Sequence, residues 1–105
     1  MNIQEFENKA ETAATLLKAL ASRPRLMILC NLVDGEQSVG QLAEQTGMRM
    51  AAVSQNLALL RAEKVVVQRR VGTTIYYSLA NEVVREVIGV LYRAFCEPAP
   101  RGRKR

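Results

Sequence analysis

Apolar residues recur at helical spacing along the first third of the chain. Between Ile3 and Leu20 they follow a 3-4-3-4-3 pattern, which predicts one helix with a single apolar stripe. Ser22 is a suitable N-cap for a second helix, and Pro24 is tolerated in its first turn. We expect this second helix to end at Asp34-Gly35, because glycine is favoured just past a helix end.

Two further helices are predicted, with a glycine between them. Ser38 and Gln41 match a capping box and begin a short helix that runs to about Gln45, after which Gly47 interrupts the chain. A fourth helix is predicted over roughly 50–63. Its inward-facing positions are Val53, Leu57 and Leu60. The outward-facing positions are then about 51, 54, 55, 58 and 62.

The pattern then changes to that of a β-hairpin followed by a last helix. Val65–Arg70 and Thr74–Leu79 are rich in β-branched and aromatic residues and flank a turn at Val71-Gly72-Thr73. Asn81 caps a last helix whose apolar stripe ends at Phe95. The sequence therefore predicts a mainly α protein with one β-hairpin, in the order α-α-α-α-β-β-α.

Composition limits the classes of protein to consider. The chain has 105 residues, 49% of them hydrophobic, which suits one domain over residues 1–97. It has no histidine and two cysteines, which argues against most hydrolases, zinc sites and disulfide scaffolds. No segment has the pattern of a signal peptide or a membrane span. We expect a soluble cytoplasmic protein that is not an enzyme and has no cofactor, metal or membrane partner.

Positive charge is concentrated in two places. The net charge is +5, yet residues 49–70 hold five basic side chains against one acidic, and residues 98–105 hold four basic side chains and no acidic one. The rest of the chain is mildly acidic. Residues 98–105 are predicted to be a disordered basic tail, because they are too charged and too short to fold. This segregation favours a polyanionic partner.

The short helix, the glycine turn and the fourth helix form a candidate helix-turn-helix at about 38–63. In such a motif the outer face of the second helix enters the major groove of double-stranded DNA. Gln55 is suited to pair with adenine and Ser54 to reach a base or a phosphate, while Asn56 lies at the edge of this face.

The hairpin beside this motif has the chemistry of a wing that lies along phosphates. The fold class is therefore predicted to be a winged helix-turn-helix, against the alternative of a generic helical interaction module. The candidate DNA-binding residues are Arg49, Ser54, Gln55, Asn56, Arg61, Arg69, Arg70, Thr73 and Thr74.

The first and last helices each carry a longer apolar stripe than a small winged helix needs for its own core. They either pack on their own domain or bury the stripes in a homodimer with two-fold symmetry, and we favour the homodimer. Two copies present two recognition helices to successive major grooves, which suits a palindromic operator.

Four segments resemble the ArsR/SmtB family of bacterial winged-helix repressors. They read Ala-Leu-Ala-Ser-Arg-Pro-Arg-Leu-Met-Ile-Leu at 19–29, Ser-Val-Gly-Gln-Leu at 38–42, Val-Ser-Gln-Asn-Leu-Ala-Leu-Leu-Arg at 53–61 and Ile-Tyr-Tyr-Ser-Leu at 75–79. The resemblance covers nearly all of residues 5–97. It implies a dimer formed through the first and last helices, and a repressor that releases its operator when an inducer binds.

The chain departs from the metal-sensing branches of that family. Those branches use cysteines at the positions of Ser38-Val39-Gly40, or histidines and carboxylates on the last helix, and this chain has no histidine. Two thiols alone do not build a four-coordinate zinc site or a three-thiolate arsenic site within one subunit. The family also usually has His where Asn56 stands and a Ser cap where Arg49 stands, so the resemblance does not imply a particular operator sequence.

Cys30 and Cys96 lie late in the second helix and at the end of the last. Considered alone, Cys30 fits a buried core position and Cys96 an incidental surface thiol. With Phe95 before Cys96, however, these positions resemble the persulfide-sensing branch, which includes sulfide- and biofilm-related repressors. That resemblance implies a redox switch in which reactive sulfur species or an oxidant, acting as inducer, crosslinks the two thiols. The alternative is a DNA-binding antirepressor or architectural regulator with no thiol switch.

Overall fold

The computed structural model describes residues 2–96 of the chain, except for the side chain of Cys96. These residues form helices around one small sheet. The elements are α1 (Ile3–Leu20), α2 (Arg23–Cys30), β1 (Gln37–Ser38), α3 (Val39–Thr46), α4 (Met50–Ala62), β2 (Val66–Val71), β3 (Thr74–Leu79), α5 (Glu82–Leu91) and a π-helical turn (Tyr92–Cys96). The winged helix-turn-helix fold predicted from the sequence is confirmed.

Most of the helices have a polar N-cap residue whose side chain accepts a hydrogen bond from the first turn. The Asn81 side chain accepts a hydrogen bond from the backbone N–H of Val84 at 3.0 Å, at the start of α5. Ser38 and Gln41 form the predicted capping box at the start of α3. These bonds satisfy backbone N–H groups that a first helical turn leaves without partners, and so fix where each helix begins.

The sheet has one strand more than the sequence predicts. Its order is β1-β3-β2, all antiparallel, and the two residues of β1 pair with Tyr76 and Tyr77 of β3. The β2–β3 hairpin turns tightly at Gly72-Thr73, where Gly72 has φ 63°, a conformation that favours glycine.

The core lies between α2, α3, α4, α5 and the inner end of the hairpin. Val53, Leu57 and Leu60 of α4 are fully buried, as their spacing predicts, and they pack in one cluster with Ile28 and Leu29 of α2. Ten of the largest core side chains are less than 2% exposed. They are Ile28, Leu29, Leu32, Leu42, Val53, Leu57, Leu60, Val65, Val66 and Ile88.

Two helix ends differ from the prediction. The α-helical part of α2 ends at Cys30, and hydrogen-bonded turns carry the chain through Asp34. The prediction was too long because Leu32, although buried, lies in these turns and not in the helix. The last helix changes at Tyr92 to a π-helical turn, which places Phe95 81% exposed instead of on the buried stripe. The predicted basic tail, 98–105, lies outside the described residues.

Candidate nucleic-acid interface and thiol positions

The turn between α3 and α4 sets the direction of the candidate recognition helix. Gly47 ends α3 in the left-handed conformation, with φ 75° and ψ 7°, and donates its N–H to the carbonyl of Ala43. Arg49 occupies the N-cap of α4 but makes no side-chain capping bond, so its exposed guanidinium is available to a ligand.

The outward face of α4 carries two polar side chains set among alanines. Ser54 and Gln55 are exposed, and the other predicted outward positions, 51, 58 and 62, are all alanine. Small neighbours let the backbone of a helix approach base edges closely, so that serine and glutamine side chains are long enough to reach them. This face therefore has the shape and the donors that a major groove requires.

Asn56 is the weakest of the three polar candidates on α4. It is half-buried, and its side-chain amide donates a hydrogen bond to the carbonyl of Ala52 at 2.8 Å. One of its two amide hydrogens is thus already used within the helix, which leaves Asn56 less free than Gln55 to form a bidentate pair with a base.

Arg49 and Arg61 mark the two ends of the same helix. Arg61 is exposed in the last turn of α4, 12 residues beyond Arg49, which corresponds to about 18 Å along the helix axis. Exposed cations therefore stand at both ends of the candidate recognition helix.

Arg69 and Arg70, although adjacent in the chain, lie on opposite faces of the wing. In the antiparallel register Arg69 pairs with Tyr76, and Arg70 pairs with Ile75. Arg70 is exposed, and Thr73 and Thr74 are exposed at the hairpin tip. From the sequence, both arginines are expected to contact phosphate alike. In the structure one lies on each face of the wing, so the two are not equivalent.

Arg69 is engaged by a carboxylate that the sequence analysis missed. Its guanidinium makes a two-point ion pair with Glu36, through Nε to Oε2 at 3.2 Å and through Nη2 to Oε1, and lies 5.8 Å from the centre of the Tyr76 ring. The hydrogen bond from Arg69 lowers the pKa of Glu36, and the same bond raises the pKa of Arg69. No local sequence signal links the two residues, because 33 positions separate them.

The structure places one of the two predicted switch thiols. Cys30 is the last residue of α2 and is 6% exposed, within the core cluster that also holds Ile88 of α5. Cys96 ends the π-helical turn after α5, and its side chain lies outside the described part of the chain. The pairing of the two thiols therefore stays a prediction.

Two other findings concern the part of the chain that the structure describes. Within residues 2–96, no group of three or more His, Cys, Asp or Glu side chains is arranged to hold a metal ion. No helix in the same range is long and apolar enough to cross a lipid bilayer.

Comparison with known proteins identifies the family. Residues 22–66 match the family described as "Bacterial regulatory protein, arsR family". The chain is 41% identical over 97 residues to the transcriptional activator HlyU of Vibrio cholerae. The aligned residues are 92% of this chain and 90% of HlyU. It is 38% identical over 96 residues to the biofilm growth-associated repressor of Xylella fastidiosa, which covers 91% and 84%.

Solved structures agree with this result. Reduced HlyU from Vibrio cholerae superposes with a TM-score of 0.83 at 40% identity, covering 90% of this chain and 100% of HlyU. The homodimeric winged helix-turn-helix DNA-binding domain of Mb0332 from Mycobacterium bovis gives a TM-score of 0.76 at 33% identity, covering 90% and 86%. The chain belongs to the arsR family of bacterial regulatory proteins, and it is a DNA-binding transcriptional regulator and not an enzyme.

Proposed function

We propose that this regulator binds a palindromic operator as a homodimer, with α4 in the major groove and the wing along the backbone. The outward face of α4 carries the proposal, since Ser54 and Gln55 stand exposed among alanines between two terminal arginines. In this proposal Gln55 contacts a base, and Ser54 contacts a base or a phosphate. The flanking cations and the hairpin tip contact the DNA backbone. These residues are Arg49, Arg61, Arg70, Thr73 and Thr74.

Exposed apolar side chains on α1 and α5 support the homodimer. Ile3, Phe6 and Leu17 of α1 are more than half exposed, and so are Val83 and Val90 of α5. A groove of about 1080 Å³ lies between the middle of α1 and the first turn of α5. A second copy that covers these helices would bury the apolar surface, and the related domain of Mb0332 is described as homodimeric.

The DNA-binding assignment is tested with an operator duplex selected by the purified protein. Gln55→Ala should weaken operator binding by roughly tenfold or more and relax the preference at one base pair, because it removes a bidentate base contact. Gln4→Ala, an exposed glutamine on α1, is the matched control and should bind as wild type. Equal affinity and equal base preference for Gln55→Ala and wild type would remove Gln55 from the interface.

We further propose that crosslinking of Cys30 and Cys96 releases the operator. Cys30 lies at the end of α2, which packs against α5, and the chain reaches Cys96 at the end of the turn that follows α5. A bridge between the two thiols would hold the end of the last helix against α2. Because α5 also carries part of the proposed dimer surface, this bridge would change the separation of the two recognition helices. One solved structure of the relative HlyU is of its reduced form.

The proposed chemistry needs a persulfide, RSSH, as the oxidant. One cysteine thiolate attacks the terminal sulfur and expels the thiol RSH, which leaves a cysteine persulfide. The second thiolate then attacks the Sγ atom of the first cysteine and expels the transferred sulfur as hydrogen sulfide. The two thiols lose two electrons and become a disulfide, and the transferred sulfur gains two electrons as H₂S. Persulfidation of both cysteines before closure would leave an additional sulfur in the bridge.

Single-cysteine variants test the thiol switch against a regulator that lacks one. Alanine is the suitable replacement at Cys30, because a serine hydroxyl at this buried position would cost roughly 1–3 kcal/mol. Reduced Cys30→Ala and Cys96→Ala should bind the operator as the reduced wild type does, and neither should respond to glutathione persulfide. A normal response from either variant would contradict the dithiol mechanism and favour the alternative without a thiol switch.

We propose that operator occupancy represses transcription, as the name of the Xylella relative indicates for that protein. HlyU is named an activator, so regulators of opposite sign share this fold. A reporter gene placed behind the selected operator should be silenced by the chain. Increased expression would identify the chain as an activator or antirepressor.

A further inference from the structure

Glu36 joins the wing to the segment that follows α2. It lies next to β1, one residue after Gly35, whose φ of 147° is conformationally accessible mainly to glycine. Its partner Arg69 is in the middle of β2, on the other side of β3 in the sheet. The ion pair therefore crosses the central strand and connects the two outer parts of the sheet.

The ring of Tyr76 lies beside the Glu36–Arg69 ion pair, on the same face of the sheet. In the sheet register Ser38 of β1, Tyr76 of β3 and Arg69 of β2 lie side by side, so they share one face. The Arg69 guanidinium lies near the Tyr76 ring while donating two hydrogen bonds to Glu36. A planar guanidinium held at its edge by a carboxylate and at its face by an aromatic ring has a fixed orientation, which an isolated surface arginine lacks.

The charge of Arg69 is thus compensated, whereas that of Arg70 is not. Among residues 2–96, no carboxylate lies within ion-pair distance of Arg70. The two arginines also face in opposite directions, so a single DNA backbone cannot meet both faces of the hairpin at the same point.

We propose that Glu36 and Arg69 act as a clamp that positions the wing on DNA, and that Arg70 is the wing arginine that meets phosphate. The inference rests on the wing–backbone contact proposed above and assigns different tasks to its two arginines. Glu36 and Arg69 are positioning residues, since they act through the orientation of the hairpin. The clamp holds the outer strand β2 in one orientation. Arg70 and the hairpin tip are therefore already in position before the protein binds its operator.

The experiment measures operator affinity over a series of salt concentrations for charge-neutral variants. Arg70→Gln should weaken binding and reduce the slope of log K against log salt concentration by about one, because one phosphate contact is lost. Arg69→Gln should weaken binding by roughly two- to fivefold, the range of an exposed ion pair, with an unchanged slope. Glu36→Gln should weaken binding by a similar factor, although it makes the protein more positive.

Asp34→Asn is the matched control, because Asp34 is exposed two residues before Glu36 and has no ion pair within the described residues. It should leave wild-type affinity unchanged. The charge swap Glu36→Arg with Arg69→Glu should bind more tightly than Arg69→Gln, since it restores the pair in reverse.

The clamp is overturned if Glu36→Gln leaves affinity unchanged or tightens it, if Arg69→Gln lowers the salt slope, or if the swap binds more weakly than Arg69→Gln. The proposed wing contact itself fails separately, if Arg70→Gln leaves both affinity and slope as in wild type. Both partners are exposed, so each variant is expected to fold, and its circular dichroism spectrum checks that it does.

Discussion

At the residue scale, the wing depends on a contact between two exposed side chains that are distant in sequence. Glu36 and Arg69 shift each other's pKa in the directions expected of a hydrogen-bonded ion pair. For Glu36 the folded state has the lower pKa. Its contribution to stability is therefore fully present above the unfolded pKa, near 4.5, and is lost as the pH falls through the lower folded value.

Glu36→Gln should remove this pH-dependent contribution. Wild type should be more stable than the variant at neutral pH. The difference should shrink as the pH falls below 4.5 and vanish below the lowered pKa of folded Glu36, where this side chain is protonated in both states. Urea denaturation of the two proteins across this pH range measures the difference. A difference that stays constant with pH would mean that the Arg69 pair contributes nothing to it.

At the element scale, α4 begins at an exposed, positively charged residue whose side chain does not cap the helix. Arg49 stands at the N-cap, where a serine would accept a backbone hydrogen bond that the arginine side chain does not. Arg49→Ser should stabilise the fold by about 0.5–1 kcal/mol. It should also weaken operator binding and lower the salt slope by about one, because a phosphate contact is lost.

Thermal unfolding and salt-dependent operator binding of Arg49→Ser measure the two effects separately. Arg49→Ala, which provides no cap, should lose affinity equally without gaining stability. If Arg49→Ser gains stability and keeps full affinity, Arg49 does not contact the backbone of the operator.

The elements with a periodic pattern could be predicted from the sequence. The buried stripe of α4 and the capping box of α3 follow from spacing and chemistry within a few residues. β1 could not be predicted, because two residues have no periodicity and pair only because β3 offers them an open edge. The Glu36–Arg69 pair was missed for the same reason, since the sheet register brings it together and no local pattern does.

At the scale of the whole molecule, the apolar surface exceeds what one copy covers. The radius of gyration is 15.4 Å, against about 13 Å for a compact domain of this size, since α1 projects from the core with only Ala19 and Leu20 buried. An exposed helix with an apolar stripe is typical of a surface that another chain covers.

Phe6→Glu tests that assignment. An unpaired carboxylate in an apolar interface should raise the dimer dissociation constant by roughly a hundredfold, because the charge is desolvated without a partner. Gln4→Glu, on the opposite side of α1, is the control and should dimerise as wild type. Sedimentation equilibrium gives both constants. Wild-type dimerisation of Phe6→Glu would place the interface elsewhere.

The proposed thiol switch is tested most directly by titrating one preparation of the wild-type protein against its operator in three states. These are the reduced protein, the protein after glutathione persulfide, and the treated protein after reduction again with dithiothreitol. We predict tight binding in the first state, weak binding in the second with a mass that shows a Cys30–Cys96 bridge, and full recovery in the third. The same affinity in all three states, despite that bridge, would contradict the account.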